Sequence, residues 1–145
     1  MRVLNSLCSA MSQMPLQQNG RTDAVRPLVF VVDDEPMLLE LATMIVEPLG
    51  FRVRTFRDPV RALREYSLSQ PLPVLLITDF AMHQMNGMDL IRDCRKINPR
   101  QKVLLVSGTV DAMVYRDSPQ KPDAFLAKPY QTKELIDTIN TLVSK

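Results

Sequence analysis

The sequence predicts an α/β domain built on a parallel sheet with helices on both faces. Two observations predict it. Short apolar runs alternate with stretches of 3.6-residue periodicity at the intervals of repeated strand–helix units. The apolar runs are also nearly continuous, as strands buried on both faces require.

Taken in chain order, Leu28 to Val32 reads as the first strand, beginning just after Pro27. A helix follows with Leu38, Leu41, Ala42, Ile45 and Leu49 in one apolar stripe, started by Pro36 in its first turn and stopped by Gly50. Phe51 to Phe56 is the second strand, and Asp58-Pro59 caps a helix that buries Ala62, Leu63 and Tyr66. Val74 to Thr78 is the third strand, followed by a helix marked by Leu90, Ile91, Cys94 and Ile97. After the fourth strand, Val103 to Val106, residues Val110 to Arg116 could form two turns of helix; Pro119 and Pro122 forbid anything longer. Ala124 to Ala127 is a shorter fifth strand, and Leu135, Ile136, Ile139, Leu142 and Val143 mark a last helix after Thr132.

The bulk numbers bound what this unit does. At 145 residues the chain amounts to one domain, able to bury about two thirds of its unfolded surface. With 46% hydrophobic and 23% charged residues, and no apolar stretch near the roughly 20 residues of a membrane helix, it is expected to stay in water. The net charge of +2 arises wholly from Arg2, Arg21 and Arg26 against Asp23 in the first 26 residues. The remainder is neutral, and no cluster of basic residues interleaved with aromatics marks a nucleic-acid footprint. Cys8 and Cys94 have neither disulfide-framework nor zinc spacing, which suits a reducing cytoplasm. Residues 1–26 carry no signal-peptide core and too little apolar surface to offset chain entropy, so they are read as a disordered tail ahead of a domain at 27–145.

In a parallel α/β sheet, ligands bind outside the carboxyl ends of the strands, where strand order switches. Asp33 and Asp34 follow the first strand, Asp79 the third, Ser107 the fourth and Lys128 the fifth. Carboxylates brought this close repel, and one takes up a proton unless a cation shares the site. The donors are oxygens with no soft sulfur nearby, so Mg²⁺ is the indicated ion, with Mn²⁺ able to replace it in vitro. A carboxylate beside such an ion can attack phosphorus to give an acyl phosphate. Lys128 and Ser107 would then meet phosphoryl oxygens.

The segments VVDDEP (31–36), TDFAM…NG (78–87), VSGT (106–109) and FLAKPY (125–130) together resemble the response-regulator receiver family of two-component signalling, over Pro27 to Lys145. The resemblance implies a flavodoxin-like three-layer fold with a five-stranded parallel sheet of order 2-1-3-4-5. It implies that Asp79 is the phosphoacceptor, that Asp34, Asp79 and the backbone carbonyl of Ala81 bind Mg²⁺ directly, and that Asp33 does so through water. Lys128 and Ser107 match the phosphoryl-contacting pair, Lys128-Pro129 is expected to be cis, and Phe125 matches the aromatic that turns inward with the hydroxyl residue. Two features depart from the family pattern: His83 stands where proline is common, and Val110 to Asp123 allows only a short or irregular fourth helix.

Plainer roles compete. Asp33 and Asp34 could cap the helix that starts at Pro36, Asp79 could form a turn, and Lys128 could be a surface lysine. Ser107 before Gly108 could open a turn, and Phe125 could be plain core. His83 reads as an exposed loop residue, and Cys94 as a buried small hydrophobe.

The expected function is a single-domain response regulator. It would be phosphorylated by a histidine kinase or phosphotransfer protein and signal to a downstream protein by phosphorylation-dependent contact, as a monomer or a phosphorylation-dependent dimer. It is not expected to be an enzyme beyond its own phosphorylation and dephosphorylation, nor to bind nucleic acid or membrane. A degenerate receiver serving as a scaffold is one alternative. A Mg²⁺-dependent phosphatase with an aspartyl intermediate is another, weakened because the second acid it typically needs would fall at Ala81.

Overall fold

Alternation along the first strand sets up the layers: Val29 and Val31 enter one buried cluster, while Leu28, Phe30 and Val32 enter another on the opposite face of the sheet. The computed structural model describes residues 25–108, 115 and 118–144. The elements are β1 (Leu28–Val32), α1 (Pro36–Val46), a 3₁₀ turn (Glu47–Leu49), β2 (Arg52–Phe56), α2 (Pro59–Leu68), β3 (Leu75–Asp79), α3 (Gly87–Ile97), β4 (Val103–Ser107), β5 (Ala124–Ala127) and α4 (Thr132–Val143). Most of the predicted tail, residues 1–24, lies outside the described residues. So does the helix predicted at Val110 to Arg116, apart from Tyr115.

All adjacent strands pair in parallel, in the order β2-β1-β3-β4-β5. The chain therefore passes from β1 to β2 on one side and returns to β3 on the other, leaving a switch point between β1 and β3. Helices α1 and α4 cover one face, through Leu39, Ala42, Ile45, Val46, Leu135, Ile139 and Leu142. Helices α2 and α3 cover the other, through Ala62, Tyr66, Leu90, Ile91 and Cys94. Cys94 is thus a buried hydrophobe, and burial pushes its thiol up to about 12.

Strands β1, β3 and β4 are buried along their whole length, whereas β2, at the edge, is largely half-buried. The apolar stripe of α1 is turned relative to the expectation: Leu39 and Val46 enter the core, while Leu41 is 43% exposed. The reason lies in packing. Leu39, Ala42 and Val46 follow i, i+3, i+7 spacing, and the sequence offered two overlapping stripes of nearly equal hydrophobicity. Ile97, also expected inside, stands 45% exposed at the end of α3.

Local signals set the helix ends. Pro36 occupies the first turn of α1, and Gly50 ends the following 3₁₀ turn at φ 102°. Asp58 caps α2, its carboxylate accepting from the Val60 N–H at 2.9 Å. At α3, Asn86 and Asp89 form a reciprocal capping box.

A clamp missed in the sequence fixes the start of β5. Arg95 of α3 donates to the Lys121 carbonyl at 2.5 Å and pairs with Asp123 at 3.0 Å. Asp123 in turn accepts from the Val103 N–H at 2.7 Å. This ties α3, β4 and the approach to β5 together, and so sets the height at which Lys128 emerges.

Candidate functional site

The switch point collects the acidic residues. Asp33 follows β1 directly and its N–H donates to the Phe56 carbonyl at 3.0 Å, which carries the β1–β2 ladder one residue past the strand. Asp79 is itself the last residue of β3, one residue later than the sequence suggested for the strand end. Strands β1 and β3 are adjacent, so Asp33, Asp34 and Asp79 place one carboxylate oxygen each within 4.8 Å of one another. Asp33 and Asp79 are buried and Asp34 is half-buried.

Neither Asp33 nor Asp34 is the N-cap of α1. That position is held by Glu35, whose N–H donates to Asp33 Oδ1 at 3.0 Å. The second oxygen of Asp33 accepts from Lys128 Nζ at 2.8 Å, and the same ammonium lies 3.5 Å from Asp79 Oδ1. Lys128 reaches them from just beyond β5, its Nζ-bearing side chain only 17% exposed, and its peptide bond to Pro129 is cis as expected. A second cis bond, Gln70–Pro71, was not anticipated.

The electrostatics follow from this packing. Burial pushes the Asp79 carboxyl above the ordinary carboxylate value; Lys128 pulls it back, Asp33 adds to the rise, and the Phe80 N–H bond at 2.8 Å favours the charged form. Burial works against the Lys128 ammonium, but the hydrogen bond and charge of Asp33, then those of Asp79, outweigh it and hold its pKa above the usual lysine value. With every carboxylate ionised, three negative charges face one positive charge. The remaining two match a divalent cation, and a donor set made of oxygens fits a hard one such as Mg²⁺.

Ser107 ends β4, fully buried, and its carbonyl accepts from the Lys128 N–H at 3.1 Å. Because β4 lies between β3 and β5, Ser107 stands between the strands that carry Asp79 and Lys128. Phe125 on β5 is half-buried and packs against Tyr115, ring centroids 5.8 Å apart. Sequence reasoning did not single out Tyr115, since nothing in its spacing marks it as a partner of β5.

The loop from β3 to α3 is drawn tight. The Gly87 N–H donates to the Phe80 carbonyl at 2.8 Å, the Met85 N–H donates to the His83 carbonyl at 2.9 Å, and Gln84 holds a positive φ of 74°. A Cβ on Gly87 would collide with the Asp79 carbonyl oxygen, so only glycine lets α3 start this close to the end of β3. Ala81 is exposed two residues beyond Asp79. His83 is exposed as predicted, but the sequence did not foretell its position: Nε2 lies 3.9 Å from Asp34 Oδ2.

The chain is similar in sequence and fold to known proteins. The family model described as "Response regulator receiver domain" matches residues 29–140. The DNA-binding response regulator MtrA of Mycolicibacterium smegmatis is 30% identical over 114 residues, 79% of this chain and 49% of that protein. The response regulator protein TmoT of Ectopseudomonas mendocina is 26% identical over 115 residues, 79% of this chain and 51% of that protein. The chain thus spans about half the length of these curated relatives. Among solved structures, a receiver domain protein from Clostridium thermocellum superposes with a TM-score of 0.74 at 26% identity, covering 81% of this chain and 94% of that one. The CheX-CheY-BeF3-Mg complex from Borrelia burgdorferi gives 0.76 at 20% identity, covering 82% and 90%, a likeness of fold alone. With the order 2-1-3-4-5, the carboxylates gathered at its switch point and a family match over most of its length, the chain belongs to the response regulator receiver family.

Proposed function

We propose that this chain receives a phosphoryl group on Asp79 from a phosphohistidine of a histidine kinase or phosphotransfer protein, and passes the signal on through a phosphorylation-dependent protein contact. One observation carries this reading: three carboxylates at the switch point share their space with one half-buried lysine. In the transfer, an Asp79 carboxylate oxygen forms a bond to phosphorus as the phosphorus–nitrogen bond of the donor breaks. The electron pair returns to the imidazole nitrogen, which takes a proton.

Asp34, Asp79 and the Ala81 carbonyl would hold Mg²⁺, with Asp33 acting through water. When bound, the ion supplies charge neutralisation and Lewis acidity at the phosphoryl oxygens. Lys128, already charged and shielded, offsets the charge of the acyl phosphate, and the Ser107 hydroxyl donates to one of its oxygens. Phe125 follows Ser107 and couples the site to the outer surface. The chain acts on no substrate other than its own acyl phosphate, and it works in the cytoplasm; no helix among the described residues is long and apolar enough to cross a membrane.

The docking face for the phosphodonor has to border the site, because the histidine must reach Asp79. Helix α1 offers such a face. Met37 and Met44 are 79% and 71% exposed and share a stripe with Leu41 at i, i+4, i+7. Leu41 continues into a groove of about 340 Å³ lined also by Glu35, Leu38, Lys128, Pro129 and Tyr130, which leads to the site's own lysine. The fitting occupant is the apolar face of the helix that carries the donor histidine.

The test is incubation of the purified chain with acetyl phosphate and Mg²⁺, followed by intact mass spectrometry and peptide mapping. One phosphoryl group on Asp79 is expected, together with tighter capture of a partner from native extract. No adduct under conditions that label other receivers overturns the reading in favour of a constitutive scaffold. Steady turnover of phosphate esters overturns it in favour of a phosphatase.

A further inference from the structure

Resting on the reading that Asp34 and Asp79 hold a divalent ion, we propose that His83 supplies a nitrogen donor to that ion, and that this tilts the site toward imidazole-favouring divalent cations such as Ni²⁺ relative to Mg²⁺. The geometry allows it. An octahedral ion with bonds of about 2.1 Å holds adjacent donors about 3 Å apart and opposite donors about 4.2 Å apart. The 3.9 Å between His83 Nε2 and Asp34 Oδ2 falls between these separations, but as placed His83 lies outside the set of Asp33, Asp34 and Asp79, whose donor oxygens sit within 4.8 Å of one another, so its ring has to swing toward Asp79 to share their ion.

The ring is free to make that movement. Its side chain is 92% exposed, so turning it displaces no packing, while the backbone beneath is fixed by the Met85-to-His83 hydrogen bond at 2.9 Å and the positive φ of Gln84. Fold stability does not explain the placement either, since a contact this exposed is screened by solvent. Proline or an aliphatic residue at this position would bring no donor.

The consequence is chemical selectivity. Mg²⁺ takes oxygen donors and keeps several waters, so replacing one water by imidazole gains it little. Ions later in the first transition row gain more from a neutral nitrogen donor.

The experiment uses the full chain with no histidine-containing tag, so that its single histidine reports alone. Mg²⁺ and Ni²⁺ affinities are measured by calorimetry for wild type, His83→Gln and Asp34→Asn, and the imidazole protons are followed by NMR as Ni²⁺ is added. The expected result is a loss of about tenfold or more in Ni²⁺ affinity in His83→Gln, with Mg²⁺ affinity within about twofold of wild type. Strongly contact-shifted imidazole signals should appear in wild type with Ni²⁺. An unchanged Ni²⁺-to-Mg²⁺ ratio in His83→Gln, while Asp34→Asn weakens both ions, overturns the role of His83 and leaves the metal site standing. Failure of both ions to bind wild type overturns both.

Discussion

Lys128 Nζ lies closer to Asp33 than to Asp79, at 2.8 Å against 3.5 Å. The ammonium thus leans toward the carboxylate that receives no phosphoryl group in the proposed reaction, and it has to shift its weight toward Asp79 once the acyl phosphate forms.

Removing this ammonium is expected to destabilise the metal-free protein. Lys128→Ala leaves two buried carboxylates without their cation, and breaking such a pair costs about 3 kcal/mol. Urea unfolding with and without Mg²⁺ checks this: the deficit should shrink when the divalent ion restores positive charge. Phosphorylation should persist in part, while partner affinity no longer responds to it.

Asp79→Asn is expected to stabilise the metal-free protein at neutral pH and to abolish labelling. The native pKa of Asp79 is raised, above all by burial, so its ionised form costs stability above that pKa. As pH falls through the raised native value toward the ordinary carboxylate range, the native state takes up the proton first and the cost disappears. The stability difference between variant and wild type should therefore be largest near neutrality and vanish in acid. A difference that grows on acidification would show that the pKa is lowered instead.

Gly87→Ala should disturb the site without touching any of its functional groups. The added methyl meets the Asp79 carbonyl oxygen and comes within 3.0 Å of Leu105 Cδ1, so either α3 or the end of β3 must move. A loss of about 1–3 kcal/mol in stability is expected, with weakened Mg²⁺ binding. Wild-type values in both chemical denaturation and metal titration would contradict the close approach.

Substituting Met37 and Met44 together by glutamate should separate the two kinds of donor. Labelling by acetyl phosphate should match wild type, because neither side chain lines the site. Transfer from a phosphohistidine protein should slow by about tenfold or more; tenfold is about 1.4 kcal/mol, less than the burial of one methionine side chain contributes. Equal slowing with both donors would place the docking face elsewhere.

Much of the fold was legible before any coordinates. Near-continuous apolar strands such as those read at Leu28 to Val32 and Val74 to Thr78 can be satisfied only by a sheet covered on both faces, and Pro36, Asp58 and Gly50 punctuate the helices by local chemistry. The polar residues at the strand ends were legible for the same reason: they interrupt runs that otherwise bury completely. Less legible were the faces of α1, where adjacent leucines offered two stripes, and Ile97, whose apolar character gave no sign that α3 ends at the surface.

What the sequence determined by itself was the set of strands and helices, and the residues delivered at the strand ends, because both follow from periodicity and local stereochemistry within a few residues. The resemblance to a family added the strand order, and it suggested the roles proposed above for Asp79, Lys128 and Ser107. Only the tertiary structure decided the rest: that Lys128 leans toward Asp33, that Arg95 and Asp123 set the start of β5, that Gly87 touches the Asp79 carbonyl, and that His83 stands beside Asp34. These are relationships between residues up to 95 positions apart. They depend on strand register and on how closely the loops can approach, which no local pattern encodes.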